Sequence, residues 1–390
     1  MRNRSWLLLL PLLAVGITTP AWPQGFSKPS GKCDPSKGHC ASTIVFGSTR
    51  DHTDLPPQMA IARSEVYRIS LNDDSTPNLD TLTRLTENAV GVNGLFGGNV
   101  FAKLSPDGKK IVFDSNRDRA IGEPLNTSDL FLMKADGRNQ TRLIRGSSAT
   151  WSPNGKYIAF HASASGARCP VSAPPPLPGI PGCPIKIDPG AATWDSDIFI
   201  MRVPDDGDDF VEPPINITNT PLYIEDDADW SPDGTKIAFT RHAVIDNPLN
   251  SVTTEICVLT LETLQVRCVT ANSQEERAPA WSPDGTRIAY MCRNPANGFF
   301  EICVMNADGT LQMQLTNNAV LDATPTWSPD GQRLVFTNGP AGVAQLWTMK
   351  ALDGTDKRQI VIPPVVPGTS PGANGGGSWG QLWVGGRGHD

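Results

Sequence analysis

The sequence predicts an all-β fold, a six-bladed β-propeller of four-stranded antiparallel blades whose ring is closed by the C-terminal strand. Three observations carry this reading. A Trp-Ser-Pro-Asp/Asn-Gly motif recurs at Trp151–Gly155, Trp230–Gly234, Trp281–Gly285 and Trp327–Gly331, with a Leu-initiated copy at Leu104–Gly108. The copies start at positions 104, 151, 230, 281 and 327, and a period of roughly 45 residues is that of a four-stranded blade. Each copy is followed by a short apolar strand: Ile111-Val112-Phe113, Ile158-Ala159-Phe160, Ile237-Ala238-Phe239, Ile288-Ala289-Tyr290 and Leu334-Val335-Phe336.

The elements follow in order along the chain. Arg2 and Arg4, an apolar run from Trp6 to Ile17, and the small residues Thr19 and Ala21 have the pattern of a secretory signal. The reading assigns 1–21 to a cleaved signal peptide, 22–42 to an N-terminal segment with a disulfide, 43–384 to the propeller and 385–390 to a tail. The run is short and holds Pro11, so no membrane span is expected after cleavage. A sixth apolar strand, Ile44-Val45-Phe46, lacks a preceding motif. The degenerate copy Gly377-Ser378-Trp379-Gly380-Gln381 is expected to supply the missing innermost strand from the other end of the chain, beyond a Pro/Gly-rich linker at 363–377.

Within each repeat, Pro presets the first central residue of the turn, Asp or Asn suits the next, and Gly takes the left-handed conformation that closes it. Third strands run to Met133, Met201, Met305 and Met349, and Asp-Gly turns follow at Asp136-Gly137, Asp308-Gly309 and Asp353-Gly354. Fourth strands carry Leu85-Thr86, Ile217-Thr218 and Leu315-Thr316.

Eight Cys form four close pairs, Cys33/Cys40, Cys169/Cys183, Cys257/Cys268 and Cys292/Cys303. Behind an export signal these read as disulfides. A hairpin tip at Glu262-Thr263 places Cys257 opposite Cys268. A type I′ turn at Asn297-Gly298 is expected to place Cys292 opposite Cys303.

The blade motifs resemble those of the TolB-like six-bladed propeller family, over nearly the whole stretch from Thr43 to Val384. The segment before the first strand is too short for the extra α/β domain of TolB, so the resemblance implies the propeller alone: an exported protein, periplasmic or secreted, presenting a face to partner proteins. The blade pattern also resembles those of prolyl oligopeptidase relatives and oligogalacturonate lyases, but the five His (His39, His52, His161, His242 and His389) show no pair at ligand spacing.

The formal net charge of -7 comes without a basic stripe, which excludes nucleic acid as the expected partner. Functional residues are expected opposite the motif turns, where loops 47–64, 114–128, 241–253 and the insertion 161–196 lie. Asp226, Asp227, Asp229, Glu275, Glu276, Arg277 and Asp322 precede the motif Trp residues and are expected to ring a channel mouth. Such a ring attracts a basic protein segment or holds Ca²⁺, although no Asp-x-Asp-x-Asp-Gly loop accompanies it. His52, His161 and His242 occupy equivalent loop starts. The reading is a monomeric, protein-binding scaffold with no cofactor and no catalytic residues. A carbohydrate-active lyase or hydrolase, using acids and His on the loop face, is the alternative.

Overall fold

The computed structural model describes residues 39–49, 64–72, 76–87, 98–118, 128–163, 196–205, 212–220, 223–243, 254–272, 274–340, 344–362 and 374–384. The signal segment, Cys33, the insertion with Cys169 and Cys183, and His52 lie outside them. All regular elements among the described residues are strands. Among the described residues no helix is long and apolar enough to cross a membrane.

The first sheet contains β1 (His39–Ser48), β2 (Glu65–Leu71) and β3 (Pro77–Arg84). The second is β4 (Asn99–Leu104), β5 (Lys110–Ser115), β6 (Asp129–Lys134) and β7 (Thr141–Arg145). Next come β8 (Ser147–Trp151), β9 (Tyr157–Ser163), β10 (Ser196–Arg202) and β11 (Ile215–Asn216), then β12 (Tyr223–Trp230), β13 (Lys236–Ala243), β14 (Thr254–Thr260) and β15 (Gln265–Cys268). Two further sheets are β16 (Glu276–Trp281) to β19 (Met313–Gln314), through β17 (Arg287–Arg293) and β18 (Phe300–Asn306), and β20 (Asp322–Trp327) to β23 (Arg358–Gln359), through β21 (Arg333–Asn338) and β22 (Gln345–Lys350). Finally β24 (Asn374–Val384) pairs antiparallel with β1, Ile44 opposite Trp379, and makes the first sheet four-stranded.

The expectation of six separate blades needs a correction. The described residues form four separate four-stranded sheets and one of eight strands. The larger sheet arises because a parallel bridge, Ser196 to Ile224, links β10 to β12 and joins two sets of four strands edge to edge.

The turns form as their residues dictate. In the Trp230 copy, Gly234 N–H donates to Ser231 O at 2.9 Å, and Gly234 sits at φ +75°. Ser231 Oγ donates to Asp233 at 2.6 Å and accepts Lys236 N–H at 2.9 Å. The motif serine is therefore the hub of the turn, a role that Pro and Gly had masked at the sequence level. Trp151, Trp230, Trp281 and Trp327 are all buried.

Apolar residues pack between neighbouring sets of strands. Trp281, Ile288 and Tyr290 meet Ala238, Ile256 and Val258, and Trp327, Leu334 and Phe336 meet Ala289, Ile302 and Val304. Val335 and Leu346 in turn meet Ile44, Phe46 and Ile69, while Val45 and Val66 on the same first sheet meet Ile111, Phe113 and Met133. The core is thus a succession of clusters between sheets rather than one central mass.

Two predicted disulfides are present, Cys257–Cys268 and Cys292–Cys303. Cys257 lies opposite Cys268, as the Glu262-Thr263 tip requires. Cys292 instead lies opposite Glu301, and Cys303 opposite Tyr290. The reason is the turn. Asn294 N–H bonds Phe299 O and Gly298 N–H bonds Asn294 O, so the loop is longer than a two-residue Asn-Gly tip and the bridge runs diagonally.

The other two predicted pairs are not among these bridges. Cys169 and Cys183 both lie outside the described residues, and so does Cys33, the expected partner of Cys40. Cys40 itself requires a correction of place. It was expected in a segment ahead of the first strand, but it falls within β1, opposite Trp383 of β24. The physical reason is the length of β24, whose backbone pairs with β1 as far as His39 opposite Val384 and so draws Cys40 into the sheet.

Candidate binding site at the channel mouth

Each described inner strand kinks before its motif. Register shifts mark bulges in β4, β8, β12, β16 and β20. At each bulge one non-glycine residue has positive φ: Phe101 (50°), Ser148 (53°), Asp227 (51°), Ala278 (50°) and Thr324 (50°). Bulges re-aim side chains at sheet edges and rims. Here all five residues line one cavity of about 60 Å³, together with Lys103 and Asp229.

The acids at these strands fall into two groups. The first is consumed in holding the sheets together. In three third strands an acid at or next to the first residue accepts hydrogen bonds from the fourth strand or the residues that flank it. Glu301 accepts Thr316 Oγ1 at 2.8 Å and Asn318 N–H at 2.9 Å. Asp129 takes Arg142 and Arg145, each at 2.9 Å. Asp197 takes Asn216 Nδ2 at 2.7 Å and Thr220 N–H at 2.9 Å. The preceding hydroxyl reaches the next inner strand: Ser196 Oγ to Glu225 O at 2.9 Å, and Thr254 Oγ1 to Glu276 O at 2.9 Å.

Glu276 and Asp322, expected at the mouth, belong to this clasp. Both are buried, with Asn272 on Glu276 and Asn318 and Asn338 on Asp322. Asp229 accepts Thr150 Oγ1 at 3.0 Å and Trp281 N–H at 2.7 Å, tying β8, β12 and β16. Burial raises the pKa of all three carboxyls, against the hydrogen bonds that lower it.

The second group surrounds Asp227. Asp226 has Oδ1 buried without a partner. Its other contact is Thr240, whose Oγ1 also accepts Ala278 N–H at 3.1 Å. Burial, and then the Asp227 charge, lift the Asp226 carboxyl well above the usual range. Asp114, 1% exposed, holds Ser147 Oγ and accepts Ser148 N–H at 3.0 Å, and burial pushes it up to about 7. His161 Nδ1 and His242 Nε2 are each buried without a partner. Burial lowers both imidazoles, with Arg277 lowering His242 further and the Asp227 charge opposing in each case. Glu275 is held by Arg277 at 2.6 Å and Arg293 at 2.7 Å.

Of the seven predicted mouth residues, then, Asp226 and Asp227 share one electrostatic neighbourhood with His161 and His242. Glu275 and Arg277 form an ion pair at its edge, and Asp229, Glu276 and Asp322 serve the sheets. Sequence reasoning missed Asp114 and Thr240. Their signal was position: like His161, each directly follows the aromatic residue of a second strand, in Phe113-Asp114, Phe160-His161 and Phe239-Thr240. Unpaired buried carboxyl and imidazole atoms around a cavity can take a cation or exchange a proton. As a metal centre the cluster is too open. Among the described residues the only His, Cys, Asp or Glu trio with ligand atoms within 4.8 Å is Glu255 beside Cys257 and Cys268, and both those thiols are in a disulfide.

Residues 197–363 match the family model described as the TolB beta propeller domain. No curated protein sequence matches the chain. Among solved structures it is similar to TolB from Acinetobacter baumannii, at TM-score 0.58 and 16% identity, covering 87% of this chain. The chain spans 66% of that protein's length. Hydrazine synthase of Kuenenia stuttgartiensis gives TM-score 0.56 at 14% identity, over 90% of this chain and 49% of that one. A chain of a nidogen/laminin complex gives 0.54 at 10%, over 88% and 100%. At these identities the likenesses establish the fold. Residues 197–363 thus carry a TolB-like beta propeller domain, and the other described strands share its blade repeat and its propeller fold.

Proposed function

We propose that this protein is an exported binding scaffold, a closed ring of six blades whose acidic channel mouth receives a basic segment of a protein partner. The eight-stranded sheet is then two blades joined at Ser196 and Ile224. The sequence of apolar clusters, each between one set of four strands and the next, supports that count. Export to the periplasm or beyond accords with the two disulfides, which persist in oxidising compartments.

One observation carries the binding reading. Asp226 and Asp227 stand together at an inner-strand bulge beside the cavity, with Asp226 Oδ1 buried and unpaired; Glu225 and Glu276 also each leave one oxygen unpaired, but their other oxygen is held, by Thr220 and Arg241 and by Asn272. A cationic side chain supplies the missing partner and relieves the repulsion between the two carboxylates. The test is capture of partners from an envelope protein extract on the immobilised chain. Capture that weakens as salt rises and falls in D226N and D227N supports the reading. Capture indifferent to both substitutions refutes it.

One observation favours the enzymatic alternative. Asp114 titrates near neutrality beside the His161 cluster, which is the poise of a general acid or base. A polysaccharide cleavage screen in which the wild type is active and D114N is not moves the assignment to a lyase or hydrolase.

A further inference from the structure

On the face carrying the motif turns, the seams at Trp151 and Trp327 share one arrangement; at Trp230 and Trp281 the indole N–H is buried without a partner, and the Trp281 seam also opens into a cleft. Where β17 meets the Trp327 motif, Arg287, the first residue of β17, lies over the Trp327 ring at 4.6 Å. Its guanidinium donates to Ala351 O at 3.4 Å, and Trp327 Nε1 donates to Ala280 O at 2.9 Å. The β5 seam is similar: Lys110, the first residue of β5, donates to Pro204 O at 3.2 Å, and Trp151 Nε1 donates to Lys103 O at 3.0 Å.

The corresponding pair in the seam between β13 and the Trp281 motif is Lys236 and Trp281. Here the Lys236 ammonium makes no hydrogen bond to a described residue, and Trp281 Nε1 is buried without a partner. A cleft of about 400 Å³ opens at this seam, lined by Pro232, Asp233, Lys236, Trp281, Pro283 and Asp284. Asp233 and Asp284 are exposed. Each commits Oδ1 to its own turn, to Ser231 and Thr235 or to Ser282 and Thr286. Their Oδ2 atoms make no hydrogen bond to a described residue. Two carboxylates against one ammonium leave the cleft net negative.

We propose that this cleft binds an arginine side chain of a partner protein, with the guanidinium stacked on Trp281 and bonded to Asp233 and Asp284. The next seam supplies the pattern, because the chain's own Arg287 fills the same place over Trp327. A planar guanidinium stacks on an indole and forks between carboxylates. A lysine ammonium is a point charge and does neither. The prolines at 232 and 283 give the stem an apolar wall. This site shares no lining residue with the cavity beside Asp227.

Isothermal titration with the blocked peptide acetyl-Gly-Arg-Gly-amide, against its Lys counterpart, tests the proposal. The Arg peptide binds and the Lys peptide binds several-fold more weakly. D233N and D284N each weaken the Arg peptide by about three- to tenfold, as loss of a charge-assisted bond implies. K236R places the chain's own guanidinium over Trp281, so it cuts binding by about tenfold or more and raises the melting temperature. D226N and D227N leave unchanged the component of binding that K236R and D284N remove. Equal binding of the two peptides, no binding at millimolar peptide, or binding indifferent to K236R and D284N overturns the proposal. Loss confined to D226N and D227N places the peptide at the channel mouth, sustaining that site and removing this one.

Discussion

Gly309 shows how little freedom single positions have. Its φ is +89°, and a β-carbon there would lie 2.1 Å from the Val269 carbonyl oxygen of the neighbouring sheet. G309A therefore forces the backbone apart as well as straining φ, and it is expected to cost about 2–4 kcal/mol in denaturant unfolding. Asp114 offers the opposite prediction. Its folded pKa, about 7, lies above the ordinary 3.8. The native state thus holds a proton that the unfolded chain has lost, so this residue's contribution falls as pH rises from about 4 to about 7, then levels. D114N keeps the hydrogen-bonding shape without the charge. Urea melts at pH 8 are expected to show it more stable than wild type by about 2–4 kcal/mol, the gain vanishing near pH 4. The motif Gly and Pro residues were legible in the sequence because turn geometry leaves few alternatives. Asp226 and Asp229 were not separable, since both precede Trp230 and only the bulge between them turns one to Thr240 and the other to Trp281 N–H.

At the scale of the strands, the clasp is a stabilising device that sequence reading passed over. Its acids and hydroxyls are distant in the chain, so neither spacing nor composition pairs them. T316V leaves Glu301 short of a hydroxyl and Ile302 N–H without its 2.8 Å acceptor. The expected loss is about 1–3 kcal/mol, measurable as a lower urea midpoint. The hairpin at Glu262-Thr263 was readable because its register follows from counting outward. The Asn297-Gly298 hairpin was misread because Asn294 and Phe299 close a wider loop. The start of β1 was misplaced past Cys40 because the strand that extends it, β24, comes from the far end of the chain. Replacing Cys257 and Cys268 together by Ser is expected to cost about 2–3 kcal/mol, the order set by closing a short loop. Melting with and without reductant checks this: reductant lowers the wild type by at least that amount and shifts the variant less.

For the whole molecule, the period of the motif made the propeller legible, and the eroded copy at Trp379 pointed to β24 beside β1. What sequence could not show was the edge-to-edge bridge at Ser196 and Ile224, which depends on two strand ends meeting in space. Nor could it show that most acids near the axis face partners within the protein. The functional account rests on that division, and the most direct test compares the two groups of acids in one experiment. Partner capture from an envelope extract and melting temperature are measured for D226N/D227N and for E276Q/D322N. The account predicts that D226N/D227N abolishes capture with melting unchanged or raised, and that E276Q/D322N lowers melting while the folded fraction still captures. The reverse outcome, with capture surviving D226N/D227N and lost from folded E276Q/D322N, would contradict it.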